Sequence, residues 1–114
     1  MTRTEEILEQ LNVTRRYTGR PYAATGIELV IEDEGLLRDV TKRLYPQLGE
    51  QYHDTWRNIQ RNLRTVVDVA YRTNRAYLEY LAHRTLDTCP TPADFIDIIA
   101  SHLMRKKDPA GSAR

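Results

Sequence analysis

Six charged side chains recur at helical spacing between positions 57 and 75, and most of them carry the chemistry of nucleic-acid recognition. Arg57, Arg61, Arg64, Asp68, Arg72 and Arg75 are separated by four, three, four, four and three residues. At about 100° per residue they form one stripe of a helix. Ile59, Leu63, Val66, Val67 and Ala70 form a second stripe on nearly the opposite side. The planar guanidinium fork donates two parallel hydrogen bonds to O6 and N7 of guanine and also binds phosphate well. Asn58 and Gln60 flank the stripe, and amide side chains can pair with N6 and N7 of adenine. Thr55 stands at the expected helix N-terminus, where backbone N–H groups and a hydroxyl suit a phosphate oxygen. From Asp54 to Arg75, five arginines against two aspartates leave +3, whereas the whole chain carries +1. The positive charge is therefore concentrated on the segment that could enter a groove.

The plain alternative is a solvated helix face. The residues just before the stripe argue against it. Leu48 and Tyr52 are spaced to face a core, with Gly49 between them, where two helices of a helix-turn-helix cross and need a small side chain. Ile59 then fills the core position of the second helix. His53 falls in the turn, and histidine is among the residues enriched at positive φ.

Other residues that could do chemistry form no complete constellation. Cys89, His83 and His102 fit no zinc spacing and lack a fourth ligand, so no metal is expected. Cys89 precedes a proline in a loop and reads as a bystander thiol. Glu32-Asp33-Glu34 has no accompanying base or nucleophile and is followed by Gly35. It reads as one helix end and the dipole-favoured start of the next. Arg105-Lys106-Lys107 suits either a DNA backbone or a helix C-terminus. Trp56 lies on the apolar side of the long helix and is expected to pack. The seven tyrosines are scattered. With neither a glycine-rich phosphate loop nor a nucleophile motif, neither an enzyme nor a cofactor is expected.

The elements that must position the arginines read as helices. Thr2 and Glu5 make a capping-box pattern before Ile7, Leu8 and Leu11. After a polar connection, Arg15 to Gly19, Pro21 suits the first position of a second helix bearing Ala23, Ile27, Val30 and Ile31. Gly26 weakens that assignment and leaves Ile27–Ile31 open to a buried strand. Leu36, Leu37, Val40 and Leu44 mark a third helix that Pro46 ends, followed by a short helix from Pro46 to Tyr52. Asp54 is a suitable cap for the longest helix, about 55–73. Asn74 opens a further helix with Tyr77, Leu78 and Leu81. Cys89-Pro90-Thr91-Pro92 forms a loop, and Thr91 with Pro92 opens a last helix with Phe95, Ile98, Ile99 and Leu103. The expectation is an all-α, compact domain of six to seven helices over 1–107, containing a helix-turn-helix, with a disordered tail at 108–114.

The chain of 114 residues suits one domain with one core. Its 40% hydrophobic and 29% charged residues are an ordinary globular balance. A single cysteine allows no internal disulfide and fits a reducing cytoplasm. No run approaches the roughly 18 apolar residues of a membrane span, and the polar, acidic start is not that of a signal peptide. The expected location is cytoplasmic.

Val40-Thr41-Lys42-Arg43-Leu44-Tyr45-Pro46-Gln47-Leu48-Gly49-Glu50-Gln51-Tyr52 resembles the C-terminal effector domain of the master response regulator of sporulation initiation. In that family a threonine-lysine and a leucine-tyrosine-proline precede a small residue and an aromatic one. The resemblance runs from about Thr4 to Met104, with Thr4-Glu5-Glu6-Ile7-Leu8, Ile27-Glu28-Leu29-Val30 and Phe95-Ile96 falling where the family has similar residues. It implies a six-helix domain, a central helix-turn-helix and transcription regulation through the major groove of double-stranded DNA. It also implies homodimers on tandem boxes and, in activators, contact with the sigma subunit of RNA polymerase.

The family's recognition helix reads threonine, any, serine, arginine, aliphatic, glutamate, arginine, any, aliphatic, arginine. Thr55, Ile59, Arg61, Leu63 and Arg64 match it; Arg57 replaces the serine, Asn58 an arginine and Gln60 the glutamate. Glutamate accepts from N4 of cytosine, whereas glutamine favours adenine, so a changed box is expected. Arg72 to Cys89 departs from the family's pattern, which weighs against sigma contact. The family's regulators carry an N-terminal receiver domain, whereas this sequence starts at the effector domain, so the expectation is a stand-alone regulator. Arg61 and Arg64 read bases, Arg57, Asn58 and Gln60 adjust the sequence read, and Thr55 holds phosphate. The alternative is a protein-interaction module that pairs with or antagonises a full-length regulator without reading DNA.

Overall fold

The capping box at the start of the chain is formed. Thr2 Oγ1 accepts from the Glu5 N–H at 3.1 Å, and Glu5 Oε1 accepts from the Thr2 N–H at 3.0 Å. It opens α1, Arg3–Gln10. The computed structural model describes residues 1–107; the tail expected at 108–114 lies outside the described residues. α2 follows at Gly19–Glu32, a 3-10 turn at Glu34–Arg38, α3 at Leu44–Tyr52, α4 at Trp56–Thr73, α5 at Arg75–Ala82 and α6 at Pro92–Lys107. Among the described residues no strand forms, so the protein is all-α, as its helical periodicity implies.

α2 is the hub, packing against α1, α3, α4 and α6. Gly19 lets its first turn approach α4. A Cβ there would lie 2.3 Å from the Asn62 carbonyl oxygen and 2.7 Å from Val66 Cγ2. Arg20 is buried and joins three segments: its guanidinium pairs with Glu9 of α1 and donates to the Val13 carbonyl at 3.3 Å. Each helix contributes to a single apolar cluster, with Leu8, Ile27, Leu48, Ile59, Leu63, Leu78, Phe95 and Ile99 fully excluded from solvent. Such a continuous core fixes α4 on one face and leaves its opposite face outside.

The structure resolves one ambiguity and corrects three local expectations. Ile27–Ile31 is helical, not a strand. Pro21 is the third residue of α2, which begins at Gly19. The helix expected across Leu36, Leu37, Val40 and Leu44 does not form. Asp33 Oδ1 accepts the Gly35 N–H at 2.9 Å, and the Asp39 carboxylate accepts the Lys42 N–H at 3.2 Å. These side chains satisfy local backbone donors in turn geometry and so compete with a regular helix. Pro46 does not end a helix either. It lies in the first turn of α3, where a missing N–H costs nothing because those donors have no intrahelical partner. Among the described residues no helix is long and apolar enough to cross a membrane.

Candidate nucleic-acid interface

Residues 53–55 alone connect α3 to α4. His53 adopts the left-handed conformation at φ 55°, ψ 46°, and the Gly49 carbonyl accepts from both the His53 and Asp54 N–H groups, the latter at 2.9 Å. A Cβ on Gly49 would lie 2.5 Å from the Asp54 carbonyl oxygen. Gly49 is thus required because the turn folds back onto α3, a closer partner than the crossing helix. Leu48 is fully buried, while Tyr52 is half-buried, with its ring 5.0 Å from that of Tyr22 and its hydroxyl 2.5 Å from that of Thr25. Two helices joined by a tight turn, both set on the core, are consistent with a helix-turn-helix.

The cap of α4 is Thr55, not Asp54. Thr55 Oγ1 accepts the Asn58 N–H at 3.2 Å, which leaves the hydroxyl proton to donate outward. Asp54 instead gathers three donors: the Tyr22 hydroxyl at 2.7 Å, the Thr55 N–H at 2.8 Å and Asn58 Nδ2 at 2.9 Å. The Tyr22 hydroxyl, followed by the Asn58 amide, holds the Asp54 carboxyl below the usual carboxylate range. Burial, followed by the bond to Asp54, pushes Tyr22 up to about 12.

The two stripes separate as their spacing requires. Ile59, Leu63, Val66, Val67 and Ala70 are buried, and Val69 joins them. Thr55, Arg57, Arg61 and Arg64 are exposed, with Asn58 and Gln60 half-buried at the margin. The charge is less evenly spread than the spacing implies. Arg72 pairs with Asp68 at 2.9 Å and Arg75 with Glu79 at 3.1 Å. Among the described residues Arg57, Arg61 and Arg64 make no ion pair, so the uncompensated charge lies on the first half of α4. Arg61 donates to Asn58 Oδ1. Arg64 faces Tyr45 of α3, whose hydroxyl is raised by burial against the opposing pull of that guanidinium.

Trp56 departs from expectation. It is 39% exposed, and the Arg57 guanidinium lies 5.1 Å from its ring centroid. Its apolar side chain counts toward the buried stripe by period, but the first turn of α4 projects past the core. Trp56, Arg57, Gln60, Arg61 and Arg64 line one shallow groove. A large aromatic residue adjacent to the arginines was the sequence signal for this extension of the site.

The remaining candidates lie elsewhere. Cys89 is exposed in its loop, and partial desolvation together with the Asp68 carboxylate holds its thiol above the usual value, away from the reactive thiolate. His83 ends α5 in the left-handed conformation, and His102 is buried beside Tyr80. Among the described residues no three His, Cys, Asp or Glu side chains converge as a metal site. Asp33 ends α2 and caps the 3-10 turn. Arg105 donates to the Leu81 carbonyl at 3.2 Å; the side chains of Lys106 and Lys107 lie outside the described residues.

A family model described as "Sporulation initiation factor Spo0A C terminal" matches residues 4–103 of this 114-residue chain.

Proposed function

The chain belongs to the C-terminal family of sporulation initiation factor Spo0A, a DNA-binding domain of transcription regulators and not an enzyme family, and on that premise we propose that it reads a specific duplex sequence with α4 in the major groove. The observation that supports this is the cluster of exposed arginines, Arg57, Arg61 and Arg64, without an ion pair among the described residues, on the first half of a helix that follows a tight turn. Recognition helices of this motif place their N-terminal residues against base edges. In this reading Arg61 and Arg64 contact bases through their planar forks. Gln60 shifts the preferred pair toward adenine. Arg57, braced on Trp56, and the Thr55 hydroxyl hold phosphates. Two copies bind adjacent boxes as a homodimer.

The test is selection of bound duplexes from a random pool, with wild type beside Arg61→Ala. A defined motif is expected from the wild type, relaxed at one base pair in the variant by about 1–3 kcal/mol. A loss equal on all sequences would make Arg61 a phosphate contact. No enrichment at low or moderate salt would overturn sequence reading and leave a module that pairs with another regulator. A selected box with cytosine opposite Gln60's position, as a glutamate would prefer, would refute its role in shifting specificity.

A further inference from the structure

Asn58 is half-buried, and both ends of its amide are engaged within the chain. Nδ2 donates to Asp54 Oδ1 at 2.9 Å, and Oδ1 accepts from Arg61 Nη2. The orientation of that amide is dictated by its neighbours. Asp54 is an ionised acceptor that already receives the Tyr22 hydroxyl and the Thr55 N–H, so only the NH2 end of Asn58 can face it. The carbonyl end must then point to the guanidinium. A flipped amide would oppose its carbonyl to a carboxylate and its NH2 to a cation. Tyr22, only 6% exposed on α2, anchors this chain of contacts in the core.

We propose that Asn58 is a positioning residue for Arg61, not a reader of adenine, and that Tyr22 and Asp54 set its amide so that Arg61 meets its base already oriented. The inference rests on the reading of Arg61 as a base contact. Pairing with adenine needs one amide donor and one acceptor presented together, and here the two ends are already turned to different neighbours, the donor to Asp54 and the acceptor to Arg61. An arginine side chain has several rotatable bonds, and holding it before the duplex arrives reduces the ordering required on binding. Specificity at one base pair is therefore linked to a hydroxyl in the interior that never reaches DNA.

The experiment measures affinity for the selected duplex and for single-base variants of it, using wild type, Arg61→Ala, Asn58→Ala, the double variant and Tyr22→Phe. Asn58→Ala is expected to lose about fivefold or more of the discrimination at Arg61's base pair. It should leave other pairs unchanged and add nothing in the double variant. Tyr22→Phe keeps its ring and is expected to lose about twofold at the same pair; it carries the test alone if Asn58→Ala does not fold. A purely structural role would lower the active fraction equally on every sequence. Relaxation by Asn58→Ala at a different pair, additive with Arg61→Ala, would overturn the inference and make Asn58 a reader. So would an unchanged preference at Arg61's pair in both Asn58→Ala and Tyr22→Phe. If Arg61→Ala relaxes no pair at all, the base-reading role falls first and the positioning role with it.

Discussion

Tyr22 keeps its proton further into alkali than an ordinary tyrosine. Its ordinary value is 10.0, and burial, then the bond to Asp54, pushes it up to about 12. The folded state therefore holds this proton where the unfolded chain releases it. The stabilisation is complete below pH 10 and is lost as pH rises from 10 through about 12. Urea titrations across that window should show falling stability, with a shallower fall in Tyr22→Phe. Tyr45 and Tyr77, raised chiefly by burial, retain the rest of the slope. An identical slope in the variant would mean that the Tyr22 hydroxyl does not carry it. Asp54 acts on the acid side with the opposite sign: its carboxyl is depressed, so its contribution is present above the ordinary carboxylate value and fades as pH falls through the lowered one.

The sequence showed the arginines plainly at this scale, because charge and spacing are properties of residue types. Other features of the site depend on the fold. Arginine is a residue type seldom buried unless paired, and the burial of Arg20 follows only from the placement of α2, which encloses it with Glu9 and Val13. The Asn58 amide reads as an unengaged group until the fold shows it donating to Asp54 and accepting from Arg61. Trp56 is the only tryptophan in the chain and lines the arginine groove. Its intrinsic fluorescence should change when a duplex binds, and Arg61→Ala should reduce the affinity derived from that signal. A spectrum that stays constant at saturating duplex would place the groove away from DNA.

Two adjacent features of the α3–α4 turn respond to substitution in opposite directions. A methyl at Gly49 would come 2.5 Å from the Asp54 carbonyl oxygen, which is backbone and cannot step aside without moving the turn. Gly49→Ala is expected to cost about 1–3 kcal/mol, as overpacking does, and to weaken DNA binding with it. His53 carries a Cβ in the left-handed region at φ 55°, where glycine is relieved of a steric cost. His53→Gly should leave stability unchanged or raise it by up to about 1 kcal/mol. Chemical denaturation separates the two, and a stabilised Gly49→Ala would contradict the close approach. The helices were legible where a cap and an apolar period agree: Thr2 opens α1, Asn74 opens α5, and Ile59 to Ala70 line α4. They were not legible where a side chain outcompetes the period. Leu36, Leu37 and Val40 have helical spacing, yet Asp33 and Asp39 bind local N–H groups and turn that stretch instead. The shift of the α4 cap from Asp54 to Thr55 has a similar origin. Both residue types cap well, and the Tyr22 hydroxyl, invisible in the sequence, claims the aspartate.

Across the whole molecule, a formal charge of +1 gives little general attraction to a polyanion, so affinity must come from where the charges sit. Arg57 and Arg72 provide a direct comparison. Both are exposed arginines of α4, and replacing either by alanine removes one positive charge from the chain. Among the described residues Arg57 makes no ion pair, while Arg72 is bound to Asp68 at 2.9 Å near the end of the helix away from the turn. If α4 enters the groove by its first turns, Arg57 displaces a counterion from a phosphate and Arg72 does not. Each phosphate neutralised contributes about −0.9 to the slope of log affinity against log salt. Arg57→Ala should therefore make the slope shallower by about 1 and weaken binding uniformly across sequences. Arg72→Ala should leave the slope unchanged, because it also frees Asp68 without altering any phosphate contact. Equal shifts in the two variants would mean that net charge governs association. A change in Arg72→Ala alone would place the DNA-facing part of α4 at its C-terminal half, which the turn does not position.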